Sequence, residues 1–187
     1  MTNARLFAAA GTAALVAGAL LWHFGRPARP APATGAIPPP VVSIAPAALF
    51  ATTFTDPDGA SRALGQFEGK VLVLNFWATW CEPCRAEMPA FNRLHERWAG
   101  RGVQFIGLSD EPREKAQNFG ASFGIGYPLW TGGDQVADLS RRLGNHLAGL
   151  PHTVVVDRAG RVVAQRVGPY TEPDLNAILE RTVAKSG

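Results

Sequence analysis

The feature that most constrains this chain is the segment Trp80-Cys81-Glu82-Pro83-Cys84, which contains both of its cysteines. Because the 187 residues hold no other cysteine, the two thiols must react with each other or with partner molecules. A structural disulfide over so short a loop gains little chain-entropy stabilisation. A zinc site needs further ligands, and no second Cys-x-x-Cys or paired-histidine motif supplies them. The motif therefore indicates thiol redox chemistry, with neither a metal nor a cofactor.

A strand is predicted to lead into the cysteine pair and a helix to follow it. Val71–Ala78 is rich in branched and aromatic side chains, as expected of a central strand buried on both faces. Pro83 suits the first turn of a helix that ends near Gly100. Cys81 is then at the helix N-terminus, where free amides and the helix dipole favour a nucleophilic thiolate. Cys84 is expected one turn inside, as the shielded resolving thiol.

These segments resemble the thioredoxin fold, and more narrowly the membrane-anchored TlpA, ResA and CcmG group of bacterial envelope thiol-disulfide oxidoreductases. The resemblance covers roughly residues 47 to 185 and is carried by Asn75–Cys84, Glu87-Met88-Pro89 and Gly149–Thr153. It implies that Pro89 kinks the active-site helix and that Pro151 is a cis-proline across from the cysteines. The candidate client-binding residues surround Cys81 and the proline loop: Trp80, Glu82, Pro83, Leu150 and Pro151.

Glu87 is the candidate acid-base partner of the cysteines. It follows Cys84 by three residues, and helical side chains lean toward the N-terminus, so its carboxylate reaches back toward the pair. Ordinary thioredoxins carry a buried aspartate in the preceding strand; the matching residue here is Asn75, and the resemblance implies that the acid has moved onto the helix. Burial near Cys84 would raise the pKa of Glu87 toward neutrality. The alternative is a solvated surface carboxylate.

The resemblance implies a reductase of disulfides in envelope proteins, such as apocytochrome c or copper-delivery and cytochrome oxidase assembly proteins, recharged by a membrane thiol-disulfide transporter. Glu82 supports this direction, because a carboxylate between the cysteines disfavours a thiolate. One alternative is a disulfide oxidase. Another is a copper-handling module that uses Cys81, Cys84 and a histidine such as His152, although that histidine is more simply a packed or surface residue. The chain has only two methionines, whereas thioether ligands are common in copper carriers.

The N-terminal part predicts attachment to the cytoplasmic membrane. Leu6–Phe24 is almost wholly apolar and long enough to cross a bilayer, so residues 1–25 are assigned to an anchor. A cleavable signal peptide ending near Ala31-Pro-Ala33 is the alternative. Residues 26–46, rich in proline and alanine, predict an extended tether. The resemblance places the catalytic domain on the periplasmic side.

Residues 47–187 predict one α/β domain of the thioredoxin type, with a central mixed sheet flanked by helices. Further strands are predicted at Val103–Leu108, Thr153–Val156 and Val162–Val167. Further helices are predicted after Pro112 with Ala116, Phe119 and Phe123 inward, through Val136–Leu143, and from Thr171 onward. A family-typical N-terminal β-hairpin is expected around Leu49–Phe54, and Asp110-Glu111 is expected to cap the helix that follows it. The net charge of +3 comes without a basic stripe interleaved with aromatics, so no nucleic-acid partner is predicted.

Overall fold

A computed structural model describes residues 44–185 of the chain. The predicted anchor and residues 26–43 of the predicted tether lie outside this range. Between residues 44 and 185, no helix is both long enough and apolar enough to cross a membrane. The first helix starts at Pro46, one residue before the predicted beginning of the domain.

Seven strands and five α-helices alternate within the described range. The strands are β1 (Thr53–Thr55), β2 (Ser61–Ala63), β3 (Val71–Phe76), β4 (Val103–Ser109), β5 (Leu129–Thr131), β6 (His152–Val156) and β7 (Val162–Val167). The helices are α1 (Pro46–Phe50), α2 (Glu82–Trp98), α3 (Arg113–Phe123), α4 (Asp134–Arg142) and α5 (Glu172–Lys185). Short 3-10 segments lie at Leu64–Phe67 and Ala99–Arg101.

The strands form one mixed sheet in the order β2-β1-β5-β4-β3-β6-β7. β3 pairs in parallel with β4, and β6 pairs antiparallel with both β3 and β7. A parallel β-α-β unit is therefore followed by an antiparallel β-β-α unit. This order confirms the predicted thioredoxin fold with its flanking helices.

The central strand β3 packs a core on each face of the sheet. All six of its residues are buried, and alternate side chains point to opposite faces. Val71 and Val73 join the cluster that contains both cysteines, whereas Leu72 and Leu74 join the cluster on the other face. The apolar run thus continues directly into the active-site loop from a strand fixed on both sides, which gives that loop a rigid support.

The N-terminal extension is a helix followed by a short hairpin. Leu49 and Phe50, where the hairpin was expected to begin, lie in α1. The antiparallel pair follows, with β1 against β2, and β1 also meets β5. β5 has no counterpart in the sequence prediction, because a strand of three residues is too short to display a period of two.

Phe123 is a correction to the predicted inward face of α3. Ala116 is fully buried, but Phe123 is 57% exposed and stacks on Phe119 with ring centroids 4.3 Å apart. The helix ends at Phe123, and Gly124 follows in a left-handed conformation with φ of 63°. The last turn therefore carries this ring past the edge of the core.

We expect Phe91→Ala to lower the free energy of unfolding by about 3–5 kcal/mol, because it empties a fully buried site. The Phe91 ring packs against Phe105, with centroids 6.1 Å apart. Phe123→Ala is the matched control, with an expected loss of about 1 kcal/mol from its stacking contact. Urea unfolding of the oxidised protein measures both values. Equal losses would contradict the assignment of Phe91 to the core and Phe123 to the surface.

Candidate active site

The active-site helix α2 starts directly at the cysteine pair. Cys81 is its N-cap, with extended backbone angles (φ −81°, ψ 101°), and its Sγ accepts a hydrogen bond from the Cys84 N–H at 3.3 Å. Pro83 is tolerated in the first turn, since its missing N–H would have no intrahelical partner there. Pro89 lies inside the helix, as the resemblance implies. The helix N-terminus therefore directs a backbone donor and its positive end toward the sulfur of Cys81.

Cys81 and Cys84 form a disulfide in this structure. Cys84 is fully buried, whereas Cys81 retains 4% exposure beside an exposed Glu82 and Pro83. Trp80, the residue before the pair, is 69% exposed. The helix-terminal position and the N–H···S bond suit Cys81 to the predicted role of attacking sulfur, and the complete burial of Cys84 suits the predicted resolving position.

Glu87 is buried on the same side of α2 as Cys84, and only 4% of it is exposed. Asn75 Nδ2 donates to Glu87 Oε1 at 2.9 Å and to Thr153 Oγ1 at 3.1 Å. The Tyr170 backbone N–H donates to Glu87 Oε2 at 3.0 Å. Both carboxyl oxygens are thus held, one by the central strand and one by the loop before α5.

Burial raises the pKa of Glu87 to about 7. The hydrogen bonds from Tyr170 and Asn75 favour the carboxylate and oppose this rise without cancelling it. A carboxyl group with this pKa can both accept and release a proton near neutrality. Glu87 is therefore not the solvated surface carboxylate that the sequence left open. Its carboxyl group is suited to proton transfer at Cys84.

The Leu150–Pro151 peptide bond is cis, as the resemblance implies. Pro151 is buried, and its carbonyl accepts a hydrogen bond from the Gly168 N–H at 2.8 Å. Leu150 is partly buried and packs against the core cluster that includes both cysteines. The structure therefore brings the predicted proline loop and the predicted cysteine pair to one region.

A cavity of about 110 Å³ opens beside this region. Its walls are mainly apolar and include Trp80, Phe76 and Leu150, while Asp110 contributes the single carboxylate. Such a recess fits an uncharged or cationic side chain of a polypeptide rather than a large cofactor.

His152 does not present a free ring nitrogen to the cysteines. It is fully buried on the sheet face opposite the cysteine cluster, with Nδ1 2.9 Å from Ser140 Oγ and Nε2 3.2 Å from Gln165 Oε1. Within residues 44–185, no group of three or more histidine, cysteine, aspartate or glutamate side chains is arranged to hold a metal ion. This geometry gives the copper-handling alternative no third ligand at His152.

Glu111 has a different position from the predicted helix cap. Its carboxylate accepts hydrogen bonds from the Thr79 backbone N–H at 2.6 Å and from Thr79 Oγ1 at 2.9 Å, and it pairs with Lys115. Burial alone would raise the pKa of Glu111, but these contacts outweigh burial and lower it. An ionised Glu111 therefore holds the loop that precedes Trp80 and Cys81. Thr79 and Glu111 are 32 positions apart in the sequence, so no local pattern could predict this contact.

Comparison with known proteins agrees with this site. A family model described as Redoxin matches residues 40–179. The thiol-disulfide oxidoreductase ResA of Bacillus thuringiensis (strain Al Hakam) is 34% identical over 129 residues, covering 68% of this chain and 72% of that protein.

Solved structures give the same result. A thiol:disulfide interchange protein of the thioredoxin family from Chlorobium tepidum TLS has a TM-score of 0.62 and 29% identity, covering 71% of this chain and 92% of that one. The thioredoxin domain of a thiol-disulfide oxidoreductase from Bacteroides vulgatus has a TM-score of 0.64 and 27% identity, covering 76% and 97%. With its bonded cysteine pair at a helix N-terminus, the chain therefore belongs to the Redoxin family and is a thioredoxin-like thiol-disulfide oxidoreductase.

Proposed function

We propose that the domain reduces disulfides of envelope proteins, with apocytochrome c or copper-delivery and cytochrome oxidase assembly proteins as clients. The observation that carries this proposal is the buried Glu87, which lies on the same side of α2 as Cys84. Because its pKa is about 7, it can accept a proton near neutral pH. A resolving thiol shielded from solvent needs such a group, because only the thiolate attacks a disulfide. A membrane thiol-disulfide transporter would return the electrons.

The reaction begins with the reduced protein. The Cys81 thiolate attacks one sulfur of the client disulfide, so that bond breaks, a mixed disulfide forms and the second client sulfur leaves as a thiolate. Glu87 takes the proton of Cys84, whose thiolate then attacks Cys81 Sγ. The mixed disulfide breaks, the two client sulfurs take up one proton from Glu87 and one from solvent and leave as a dithiol, and the protein retains the Cys81–Cys84 disulfide. Two electrons have passed from the protein to its client.

Charges along α2 favour the reducing direction. Glu82 is exposed in the first turn, and Glu87 is buried one turn beyond Cys84, so both carboxylates oppose thiolate charge. The exposed Arg85 acts in the opposite sense, through a solvent-screened charge. When the thiolate form is weakly stabilised, the disulfide is relatively favoured and the dithiol is a reductant.

The client is proposed to dock over the cysteines and the cis-proline. Trp80 offers an exposed aromatic surface at one side, and Leu150 with the adjoining cavity offers an apolar recess at the other. Exposed aromatic side chains beside a recess are typical anchors of polypeptide recognition. The exposed Glu82 and Pro83 would then contribute to the rim of this surface.

The same proposal includes the location of the domain. Residues 1–25 would anchor the chain in the cytoplasmic membrane, and residues 26–46 would hold the domain on the periplasmic side. The apolar Leu6–Phe24 segment and the proline-rich stretch after it support this arrangement.

The reduction potential of the Cys81/Cys84 couple, measured in the full chain by equilibration with thiol buffers, tests the proposed direction. We expect a value near or below that of thioredoxin, about −270 mV. A value near about −120 mV would instead assign an oxidase. The absence of a reversible two-electron couple would reject both directions in favour of metal handling.

A further inference from the structure

A second buried polar network lies on the sheet face opposite Glu87. At its centre is His152, which is fully buried and stacks on Phe76 of β3 with ring centroids 5.1 Å apart. Its ring nitrogens are engaged by Ser140 of α4 and by Gln165 of β7. The reaction described above does not use this network, yet His152 directly follows the cis-proline.

The backbone fixes the orientation of the first member, Asn145. The Gly149 N–H can only donate, and it meets Asn145 Oδ1 at 3.0 Å. The amide nitrogen Nδ2 must then face the Gly149 carbonyl, at 2.8 Å, and Ser140 Oγ, at 2.9 Å. The Asn145 side chain therefore donates to Ser140. It also makes two hydrogen bonds to the backbone of Gly149, which hold the two ends of the loop 145–149 together.

This orientation determines where the next protons lie. Ser140 Oγ accepts from Asn145, so its own proton is available for His152 Nδ1. When the serine hydroxyl donates to Nδ1, the ring's own proton is on Nε2, which lies 3.2 Å from the acceptor Gln165 Oε1. Burial lowers the pKa of His152, and the hydrogen bond with Gln165 only partly opposes this effect, which agrees with a neutral ring.

The network ties three elements together beneath the client-binding loop. Ser140 belongs to α4, His152 opens β6 and Gln165 lies on the edge strand β7. Ala148 in the enclosed loop has a φ of 52°, a conformation that a non-glycine residue retains only when its surroundings hold it. Ser140 and Asn145 also line the cavity that Leu150 borders.

We propose that the Asn145–Ser140–His152–Gln165 network positions the cis-proline loop and the adjoining cavity for client binding, with His152 as a neutral ring protonated on Nε2. This inference rests on the proposed docking of the client at that loop. His152 acts here as a positioning residue, since it does not touch the reacting sulfurs. The residues of the network would influence recognition of a polypeptide without altering the chemistry of the cysteines.

The test compares two disulfide probes in full chains that carry Cys84→Ser. One probe is a short extended peptide whose two cysteines form a disulfide, and the other is the small aromatic disulfide dithiobis(nitrobenzoate). The measured quantity is the second-order rate constant for mixed-disulfide formation at Cys81. This step is the same whether the natural couple reduces or oxidises its clients, so a wrong direction in the proposed function would leave the measurement intact.

We expect Ser140→Ala to slow the reaction with the peptide about tenfold, the effect of about one net hydrogen bond, and to leave the small probe within about twofold. Ser122→Ala, at an exposed position in α3, is the matched control and should change neither rate. Equal slowing with both probes, or no slowing with the peptide, would overturn the positioning role.

A second measurement needs no variant and therefore does not depend on folding of the substituted chain. Ring ¹⁵N NMR of the unsubstituted full chain should show His152 as the neutral tautomer with its proton on Nε2. A ring protonated on Nδ1, or on both nitrogens near neutral pH, would overturn the proposed direction of the network.

Discussion

Replacing Cys84 with serine is expected to reduce catalytic turnover of disulfides to the uncatalysed level, while one client molecule remains covalently bound to each protein. The Cys81 thiolate still attacks, but the serine hydroxyl cannot resolve the mixed disulfide. The fold should persist, because the disulfide closes a loop with a sequence separation of only 3 and stabilises the chain little. Non-reducing electrophoresis and mass measurement of the trapped species report the result.

Cys81→Ser is the matched control, since it leaves a single cysteine that is fully buried. It should trap no client and should be equally inactive in turnover. Trapping by this variant instead would reverse the assigned roles of the two sulfurs. A protein that loses bound copper on either substitution, without forming a mixed disulfide, would point to metal handling.

The sequence predicted the parts of the site that depend on neighbouring residues. The apolar run of β3, the proline in the first turn and the buried stripe of α2 lie within one continuous stretch, and each follows from local periodicity or helix-end chemistry. The spacing of Glu87 to Cys84 predicted that its carboxylate reaches toward the pair, but it left a solvated carboxylate open, and the structure decides for burial. The cis-proline instead came from the resemblance, because no local pattern distinguishes a cis bond.

Local sequence patterns could not predict the contacts between segments that are far apart in the chain. Glu87 accepts a backbone hydrogen bond from Tyr170, 83 residues later in the chain, and a backbone N–H has no identity that a sequence can reveal. His152 and Ser140 meet only because α4 covers one face of the sheet. Glu111 was predicted to cap a helix because it lies just before α3. Its real partner, Thr79, lies 32 positions earlier, where no local pattern could indicate the contact.

Replacing Glu87 with glutamine is expected to slow the resolving step by about 100-fold near neutral pH, the lower end of typical general-base contributions. The attack of Cys81 on the client should proceed at its normal rate, so the variant should accumulate mixed disulfide before slowly releasing it. Rapid quenching with separation of the thiol species resolves the two steps. In the normal protein, a plot of the resolving rate against pH should bend near pH 7, where Glu87 ionises, and the plot for the variant should lack this bend.

Glu82→Gln provides the control, because it removes an exposed carboxylate from the first turn of the same helix. It should leave the bend near pH 7 in place. If this variant lost the bend and Glu87→Gln retained it, the proton acceptor would be assigned to the wrong carboxylate.

In the oxidised protein, the ionisation of Glu87 should also make the free energy of unfolding depend on pH. If the pKa of Glu87 is 4.5 in the unfolded chain and about 7 in the folded protein, protonated Glu87 contributes about 3 kcal/mol to the free energy of unfolding relative to the carboxylate. Because the folded state favours the protonated form, this stabilisation is complete below pH 4.5 and is lost as the pH rises through about 7. The substituted amide can turn its oxygen to the Tyr170 N–H and donate to Asn75 Oδ1 once the Asn75 amide rotates, so Glu87→Gln should be about as stable as the normal protein in acid. Toward alkaline pH the normal protein should lose about 3 kcal/mol of unfolding free energy that the variant keeps, so the variant should become the more stable of the two, as measured by urea unfolding across this range. A difference that stays constant with pH would show that the pKa of Glu87 is not raised, and would remove the basis for its role as the proton acceptor of Cys84.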